Sequence, residues 1–448
     1  MSGEDLFESL PEMASPKVAR PRGAPRLRRP ERDQIELRAC DLDSLLASDH
    51  PARVIWAYVE RLTDELQPLY DAIEAREGVP GHPPADPRLQ LALWLYATSE
   101  GIGSGRMLET LCESHDAYRW LCGGVSVNYH TLNDFRVAHE TLLDDLLTRH
   151  VAALAAAGII DLETLAQDGV RVRAAAGAAS FRRRETVETH LRRAQRVVAR
   201  LKREFDADPG ASKRRAEAAK QRAAREREKR VADALDKLAA IEAQRKRREK
   251  TNAKTTAKQG SPRVSTTDPE ARILKMPDGG FRPAYNMQIA SAVEQQIVVA
   301  VDVTAAGSDR GLAGSMLKQV RARYDRLPRR YLADGGFTQA DDIEWAHGER
   351  VAMHCPPPQS KHGSDPFAPR PGDGEGVLAW RRRMKSPAGK ARYKRRAIAE
   401  CLNAKARRFN LRQITVRGLA KARTVLLWFA LANNILRAAT IAQPVATA

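Results

Sequence analysis

The sequence predicts an α/β domain that is preceded by an all-helical region and interrupted by a long, basic helical hairpin. Three observations predict this class. Apolar residues recur at helical spacing before residue 160, short strands rich in Val and Ile alternate with helices farther along, and Lys and Arg dominate the stretch between them. A mixed order of strands and helices favours a sheet with helices on its faces.

The charge of the chain is strongly basic. Its 448 residues are enough for two or three domains, and 75 Lys and Arg against 56 Asp and Glu give a net charge of +19. Such a charge favours a polyanionic partner such as nucleic acid. We expect no membrane association, because the longest apolar run, Val425 to Ala432, is too short to span. The five scattered cysteines lack CxxC spacing, so a reducing cytoplasm is expected.

The N-terminal part divides into a tail and a helical domain. Residues 1–41 are rich in Pro and Arg, which predicts a disordered basic tail. Residues 42–160 predict helices: "DPRLQLALWLYA" begins with Pro87 in the first turn, and "SGRMLETLCESHDAYRWLCGG" predicts one helix closed by Gly123 and Gly124. The segment "YHTLNDFRVAHETLLDDLLTRHVAALAAAG" predicts another helix, capped by Thr131. A helix-turn-helix and a plain helical bundle fit this pattern equally well.

Residues 181–258 predict a basic coiled-coil hairpin, in which Lys and Arg outnumber Asp and Glu. Pro209 and Gly210 separate two helical runs. The apolar positions follow steps of four and three, the seam of a coiled coil. They are Val187, Leu191, Ala194, Val198, Leu201 and Phe205 in the first run and Val231, Leu235 and Leu238 in the second. The hairpin is either a solvated spacer laced by salt bridges or a surface that contacts phosphates.

Strands and helices alternate on either side of this hairpin, so residues 161–440 predict one α/β domain, followed by a tail at 441–448. "TLAQDGVRV" predicts a strand, and "YNMQIASA" with "QIVVAVDVT" predicts a β-hairpin. Further strands are expected in "RRYLADGGF" and "RVAMHCPPP", with a helix over Arg310 to Tyr324 whose cap we expect to be Asp309. Asp168 and Asp334 each lie on a strand or just beyond one.

The segment "YKRRAIAECLNAKARRF" predicts a helix with one polar face. Tyr393, Arg396, Glu400 and Arg407 are spaced by three, four and seven residues, which places them on one side of the axis. Ile398, Leu402 and Phe409 fall on the opposite side and should pack inward. Glu400 is either a structural ion-pair partner for the surrounding cations or part of a site. Two strand-borne aspartates and a helix-borne glutamate are the hard oxygen ligands that two divalent metals require in phosphodiester cleavage.

At these residues the sequence resembles the DDE transposases of bacterial insertion sequences, whose catalytic domain has an RNase H-like fold. The resemblance rests on "QDGVRVRA" around Asp168, "LADGGF" around Asp334, and the Tyr393, Arg396 and Glu400 arrangement. The stretches at residues 265–290 and 129–136 also resemble one subgroup, which has a helical N-terminal domain. The family pattern closes with Lys six residues after Glu; this chain has Ala at that position, with Lys405 before it and Arg407 after it.

The resemblance implies metal-dependent DNA cleavage at the inverted repeats of an insertion sequence, followed by strand transfer into target DNA. Asp168, Asp334 and Glu400 would be catalytic and would hold two Mg²⁺ or Mn²⁺ ions. The phosphates would be positioned by Tyr393, Arg396, Arg407 and Lys405. Trp380, expected in a loop, would stack on an unpaired base or anchor that loop to the core.

The resemblance also implies double-stranded DNA as the partner, a homodimer that brings two transposon ends together, and a cytoplasmic, nucleoid-associated location. Two alternatives stay open from the residues alone. The chain could be a non-catalytic basic DNA-binding protein, in which the carboxylates are structural, or a nuclease of the same fold that cuts without joining.

Overall fold

A computed structural model describes residues 41–78, 83–207, 214–251, 261–359 and 365–442. The predicted N-terminal tail up to residue 40, Pro209 with Gly210, and the C-terminal tail from residue 443 lie outside the described residues. Within the described part, the chain from Leu42 onward belongs to one compact unit.

In the described part of the chain, seven α-helices precede the first strand, in the region where the apolar periodicity predicts helices. They are α1 (Pro51–Glu60), α2 (Gln67–Asp71), α3 (Pro87–Ser99), α4 (Gly105–Ser114), α5 (Asp116–Cys122), α6 (Tyr129–Ala138) and α7 (Glu140–Ala156). Helix α3 is buried along most of its length. Pro87 occupies its first turn, where the missing N–H costs nothing, and Asp86 caps it by accepting from the Arg88 N–H.

Two predicted long helices are each broken into a pair. The first breaks at His115, which ends α4 and caps α5, and the second breaks at His139 between α6 and α7. The Thr131 cap is wrong, because the Asn128 side chain accepts from the Thr131 N–H and α6 begins at Tyr129. Gly123 ends α5 in the left-handed conformation, as predicted.

The six-stranded mixed sheet follows the strand prediction closely. Its strands are β1 (Thr164–Arg173), β4 (Arg272–Lys275), β5 (Phe281–Ala292), β6 (Ile297–Thr304), β7 (Arg330–Leu332) and β8 (Ala352–His354). The order is β4-β5-β1-β7-β8, with β6 also paired to β5. β1 is antiparallel to β5 and parallel to β7, which is parallel to β8. The predicted hairpin is β5 with β6.

Two long helices lie between β1 and β4 in the chain. β2 (Phe181–Arg182) and β3 (Val264–Ser265) form a small ribbon, and α8 (Arg184–Ala207) and α9 (Arg214–Thr251) pack against each other. The helices run in opposite directions, since Arg184 bonds Glu242 while Gln221 bonds the Leu201 carbonyl. Their contact is apolar and contains five residues of the expected seam together with Ala234. The five are Val187, Leu191, Val231, Leu235 and Leu238.

The remaining helices cover the sheet. They are α10 (Leu312–Tyr324), α11 (Ala340–Gly348), α12 (Glu375–Lys385), α13 (Pro387–Lys394), α14 (Ala397–Arg408) and α15 (Leu419–Ala442). The Asp309 side chain does not cap α10, contrary to expectation. It accepts hydrogen bonds from the Asn286 and Gln288 amides, and Gly311 precedes the helix instead.

Helix α15 joins the N-terminal helices to the sheet. It packs against α1, α3 and α7 on one side and against β6 on the other. Asn434 substitutes for a strand partner at β6: its Oδ1 accepts from the Val298 N–H at 2.8 Å and its Nδ2 donates to the Val298 carbonyl at 2.7 Å. Although α15 has the length and composition of a membrane span, most of it is buried in the core.

Candidate active site at the ends of β1 and β7

The two predicted aspartates come together through the parallel pairing of β1 with β7. The register pairs Leu165 with Tyr331 and Ala166 with Leu332. Two residues beyond the last pair, the same register places Asp168 opposite Asp334. Because side chains alternate along a strand, each aspartate lies on the same face as the apolar residue two positions before it.

A small apolar cluster places the segment of the third acid beside the ends of β1 and β7. Ala166 from β1, Leu332 from β7 and Ala399 from α14 are buried together, with Val293 and Ile398 beside them. Ala166 lies two positions before Asp168, and Leu332 lies two positions before Asp334. Ala399 directly precedes Glu400. The cluster therefore fixes the three acid-bearing segments against one another, and its two alanines allow α14 to approach the strands closely.

Asp168 is largely buried at this site. Its side chain is 16% exposed, and its two oxygens accept from the Gly169 N–H at 2.9 Å and the Asn403 Nδ2 at 2.7 Å. Burial raises the pKa of Asp168 to about 6; Arg396 and the Gly169 N–H oppose this rise, and the charges of Asp334 and Glu400 add to it. The two other carboxylates are thus close enough to repel its charge.

Asp334 begins a short 3-10 turn after β7. Its Oδ1 accepts from the Gly336 N–H at 2.6 Å. A side chain on Gly336 would collide with this carboxylate, because an added Cβ would lie 2.8 Å from the Asp334 Oδ1. The two glycines of "LADGGF" therefore allow the backbone to fold tightly around the acid.

Arg396 lies between two of the acids. Its guanidinium bonds Glu400 at 2.7 Å and approaches Asp168 at 3.5 Å, and it stacks on Tyr393 with 5.8 Å to the ring centroid. The Glu400 side chain is 59% exposed. Glu400 thus has the ion pair expected of a structural residue, yet the shared cation also connects it to Asp168.

The single helix predicted over these residues is wrong. Helix α13 ends at Lys394 and α14 begins at Ala397, with Arg395 and Arg396 in the turn between them. Leu402 is buried and Ile398 and Phe409 are partly buried, as predicted.

The two cations near the end of α14 differ in their surroundings. Arg407, seven residues beyond Glu400, is exposed on the helix face that carries the acid. Lys405 is half-buried on another face, where burial and the charge of Arg437 lower its pKa. Arg407 is therefore the better placed of the two for a phosphate beside the acids.

The loop expected around Trp380 is helix α12, and Trp380 is an anchor within it. The indole is 2% exposed and donates to the Cys355 carbonyl at 3.0 Å. No face of this ring is available to a DNA base, so the prediction that Trp380 stacks on an unpaired base is wrong, and the anchoring role is the one observed.

Asn403 was missed by the sequence reasoning. It lies one turn after Glu400 on α14, donates to Asp168, and has a buried Oδ1 without a hydrogen-bond partner in the described part of the chain. The signal available was its spacing of three from Glu400, which places both side chains on neighbouring positions of one helix face.

The described residues contain no group of three His, Cys, Asp or Glu side chains arranged to hold a metal ion. The oxygen atoms at the ends of β1 and β7 nevertheless suit a hard cation. Carboxylate and amide oxygens are the ligands that Mg²⁺ and Mn²⁺ prefer, and the unpartnered Asn403 Oδ1 is a buried oxygen beside Asp168.

Two family models match the chain. The model of the transposase DDE domain matches residues 251–435, and that of a transposase domain, DUF772, matches residues 40–138. The chain belongs to the insertion-sequence DDE transposases. The first match contains Asp334 and Glu400 of this transposase, whereas Asp168 lies between the two matched ranges. The second covers the helices from α1 to α6. No curated protein and no solved structure matches the chain significantly.

Proposed function

We propose that this transposase cleaves DNA at the inverted repeats of an insertion sequence and joins the freed ends to target DNA. Asp168, Asp334 and Glu400 would hold two Mg²⁺ or Mn²⁺ ions. Two observations support the proposal: the segments that carry the three acids pack over one apolar cluster, and the charges of Asp334 and Glu400 add to the rise in the pKa of Asp168. Ion-pair partners on a surface would not require such crowding.

The basic surroundings explain how the acids are held together before ions arrive. Arg396 offsets the charges of Asp168 and Glu400, and Asn403 orients the carboxylate of Asp168. When bound, divalent ions would stabilise the charge on the attacking and leaving oxygens. Arg396 would then be released to contact a DNA phosphate, together with Tyr393 and the exposed Arg407.

Several finer features belong to the same proposal. The mixed sheet with helices on its faces is consistent with an RNase H-like catalytic domain, into which α8 and α9 are inserted as a basic arm. Such a transposase would act as a homodimer on double-stranded DNA in the cytoplasm, in association with the nucleoid, because two transposon ends must be joined in one reaction.

Cleavage of a DNA fragment carrying the inverted repeats that flank the coding region tests this function. We expect Mg²⁺-dependent cleavage by the wild-type protein and a loss of roughly 100-fold or more in Glu400→Gln, because a ligand is lost while DNA binding persists. Glu113→Gln, which changes an exposed glutamate on α4, is the matched control and should cleave normally.

Cleavage at the wild-type rate by Glu400→Gln or Asp168→Asn would overturn the assignment. Joined product from pre-cut ends separates a transposase from a nuclease that only cuts. A second readout is independent of activity: Mg²⁺ should raise the melting temperature of the wild-type protein but not that of Asp168→Asn.

A further inference from the structure

A cationic cleft lies apart from the three carboxylates. It has a volume of about 570 Å³ and separates α4 and α6 from the segment at residues 415–417 and the first turn of α15. Its lining includes four cations and one acid, Asp134. The cations are Arg106, Arg136, Arg417 and Lys421. None of the three carboxylates of the candidate active site lines this cleft.

Helix α6 presents a polar face to the cleft. Tyr129, Asn133 and Arg136 follow a spacing of four and three residues, so they lie on one side of the helix and line the cleft. Leu132 and Phe135 lie on the adjoining face and are buried in the core. The polar half of the segment "YHTLNDFR" is therefore not explained by packing of the apolar core.

The floor of the cleft contains a buried cation. Arg136 is 9% exposed, and in the described part of the chain it has no ion pair with a carboxylate. Its Nη1 donates to the Gly103 carbonyl at 2.6 Å and to the Thr415 hydroxyl at 3.4 Å, and its guanidinium stacks on Trp94 at 4.8 Å from the ring centroid. Its Nε is buried without a hydrogen-bond partner in the described part of the chain. Burial lowers the pKa of Arg136 to about 10. A buried charge is costly unless an opposite charge pairs with it, and an anion in the cleft would supply that negative charge.

The rim of the cleft adds further attraction for an anion. Arg106, Arg417 and Lys421 are all exposed. The guanidinium of Arg106 stacks on the Tyr129 ring at 4.8 Å from its centroid. Arg106 also lies in the first turn of α4, a ten-residue helix whose N-terminus borders the cleft and attracts negative charge.

We propose that this cleft binds backbone phosphates of DNA, as an interface separate from the carboxylates. Arg136 would pair with one phosphate, and the three exposed cations of the rim would contact its neighbours along the strand. A row of phosphates suits four cations spread around an open cleft better than a single small anion does. The inference concerns binding alone, so it does not depend on the chemistry at Asp168.

The salt dependence of DNA binding tests the cleft. The full-length protein would be titrated against a short fluorescent duplex in EDTA, between ~50 and ~200 mM salt. The triple variant Arg106→Ala, Arg417→Ala and Lys421→Ala should lower the slope of log K against log salt by about 2 to 3, because each lost phosphate contact contributes about 0.9. The control removes three exposed cations that do not line the cleft: Arg61→Ala, Arg149→Ala and Arg326→Ala.

The control triple should retain most of the wild-type slope. Equal losses in the two triples would mean that only net charge matters, and no loss in the cleft triple would mean that the cleft is a structural seam; either result overturns the proposal. Thermal melting in the presence of inorganic phosphate provides the last measurement. If it raises the melting temperature while the cleft triple binds DNA like the wild type, the cleft takes a free anion and not DNA.

Discussion

The buried carboxylate of Asp168 should make the folded protein less stable at pH 8 than an amide in the same place. Its pKa rises from the ordinary value of 3.8 to about 6, and each unit corresponds to about 1.4 kcal/mol. The ionised form therefore costs the fold about 3 kcal/mol. Since the folded-state pKa is the higher one, this cost is absent below pH 4 and grows as pH rises from about 4 to 6.

Asp168→Asn removes that cost with little change in shape. The Asn403 Oδ1, which has no partner in the described part of the chain, can accept a hydrogen bond from the new amide once Asn403 turns. Arg396 keeps Glu400 as its partner. Urea unfolding in EDTA should show equal stabilities at pH 4 and a variant more stable by up to about 3 kcal/mol at pH 8.

Asp64→Asn, which changes an exposed aspartate outside the site, provides the control for the loss of one carboxylate. Wild-type protein that is as stable as Asp168→Asn at pH 8 would refute the reasoning about burial. Mg²⁺ should narrow the difference by about half, because an ion that binds only the folded wild-type protein stabilises it by about 1.4 kcal/mol at ten times its dissociation constant.

Three further substitutions test the packing around the site. Ala399→Leu should overpack the apolar cluster beneath the acids and lower the free energy of unfolding by about 1 to 3 kcal/mol. It should also reduce DNA cleavage more than DNA binding. Unchanged cleavage would argue against the cluster as the support of the site. Trp380→Phe removes the bond to the Cys355 carbonyl and should cost about 1 kcal/mol in a denaturant melt, with DNA affinity unchanged; weaker DNA binding would restore the stacking role. Asn434→Leu leaves the backbone N–H and carbonyl of Val298 without their partner. The free energy of unfolding should therefore fall by about 2 to 4 kcal/mol in the same assay. An unchanged free energy of unfolding would contradict the role of Asn434 at β6.

The places of Asp168 and Asp334 at the ends of strands were predictable because those strands carry strong local signals. Asp168 and Asp334 each follow an apolar run, and parallel pairing of two such runs places their ends together. The buried side of α14 was visible in the same way. These patterns depend on nearest neighbours in the sequence, which is why they could be read without the fold.

The breaks within helices were not predictable in this way. The turn at Arg395 and Arg396 contains neither Gly nor Pro, and His115 and His139 also interrupt helices without a strong breaker. Tertiary contacts decide such positions. The role of Asn403 likewise depends on Asp168, which is 235 positions away in the chain, so only the folded protein reveals it.

Helix α15 also has a consequence for the timing of folding. It packs on α1 and α3, whose residues are synthesised much earlier, and on β6, and its Lys421 lines the cationic cleft. Contacts between such distant parts of a chain form late and slowly. A nascent chain from which α15 has not yet emerged therefore lacks one wall of the cleft, and we expect DNA binding at the cleft to begin only after α15 emerges.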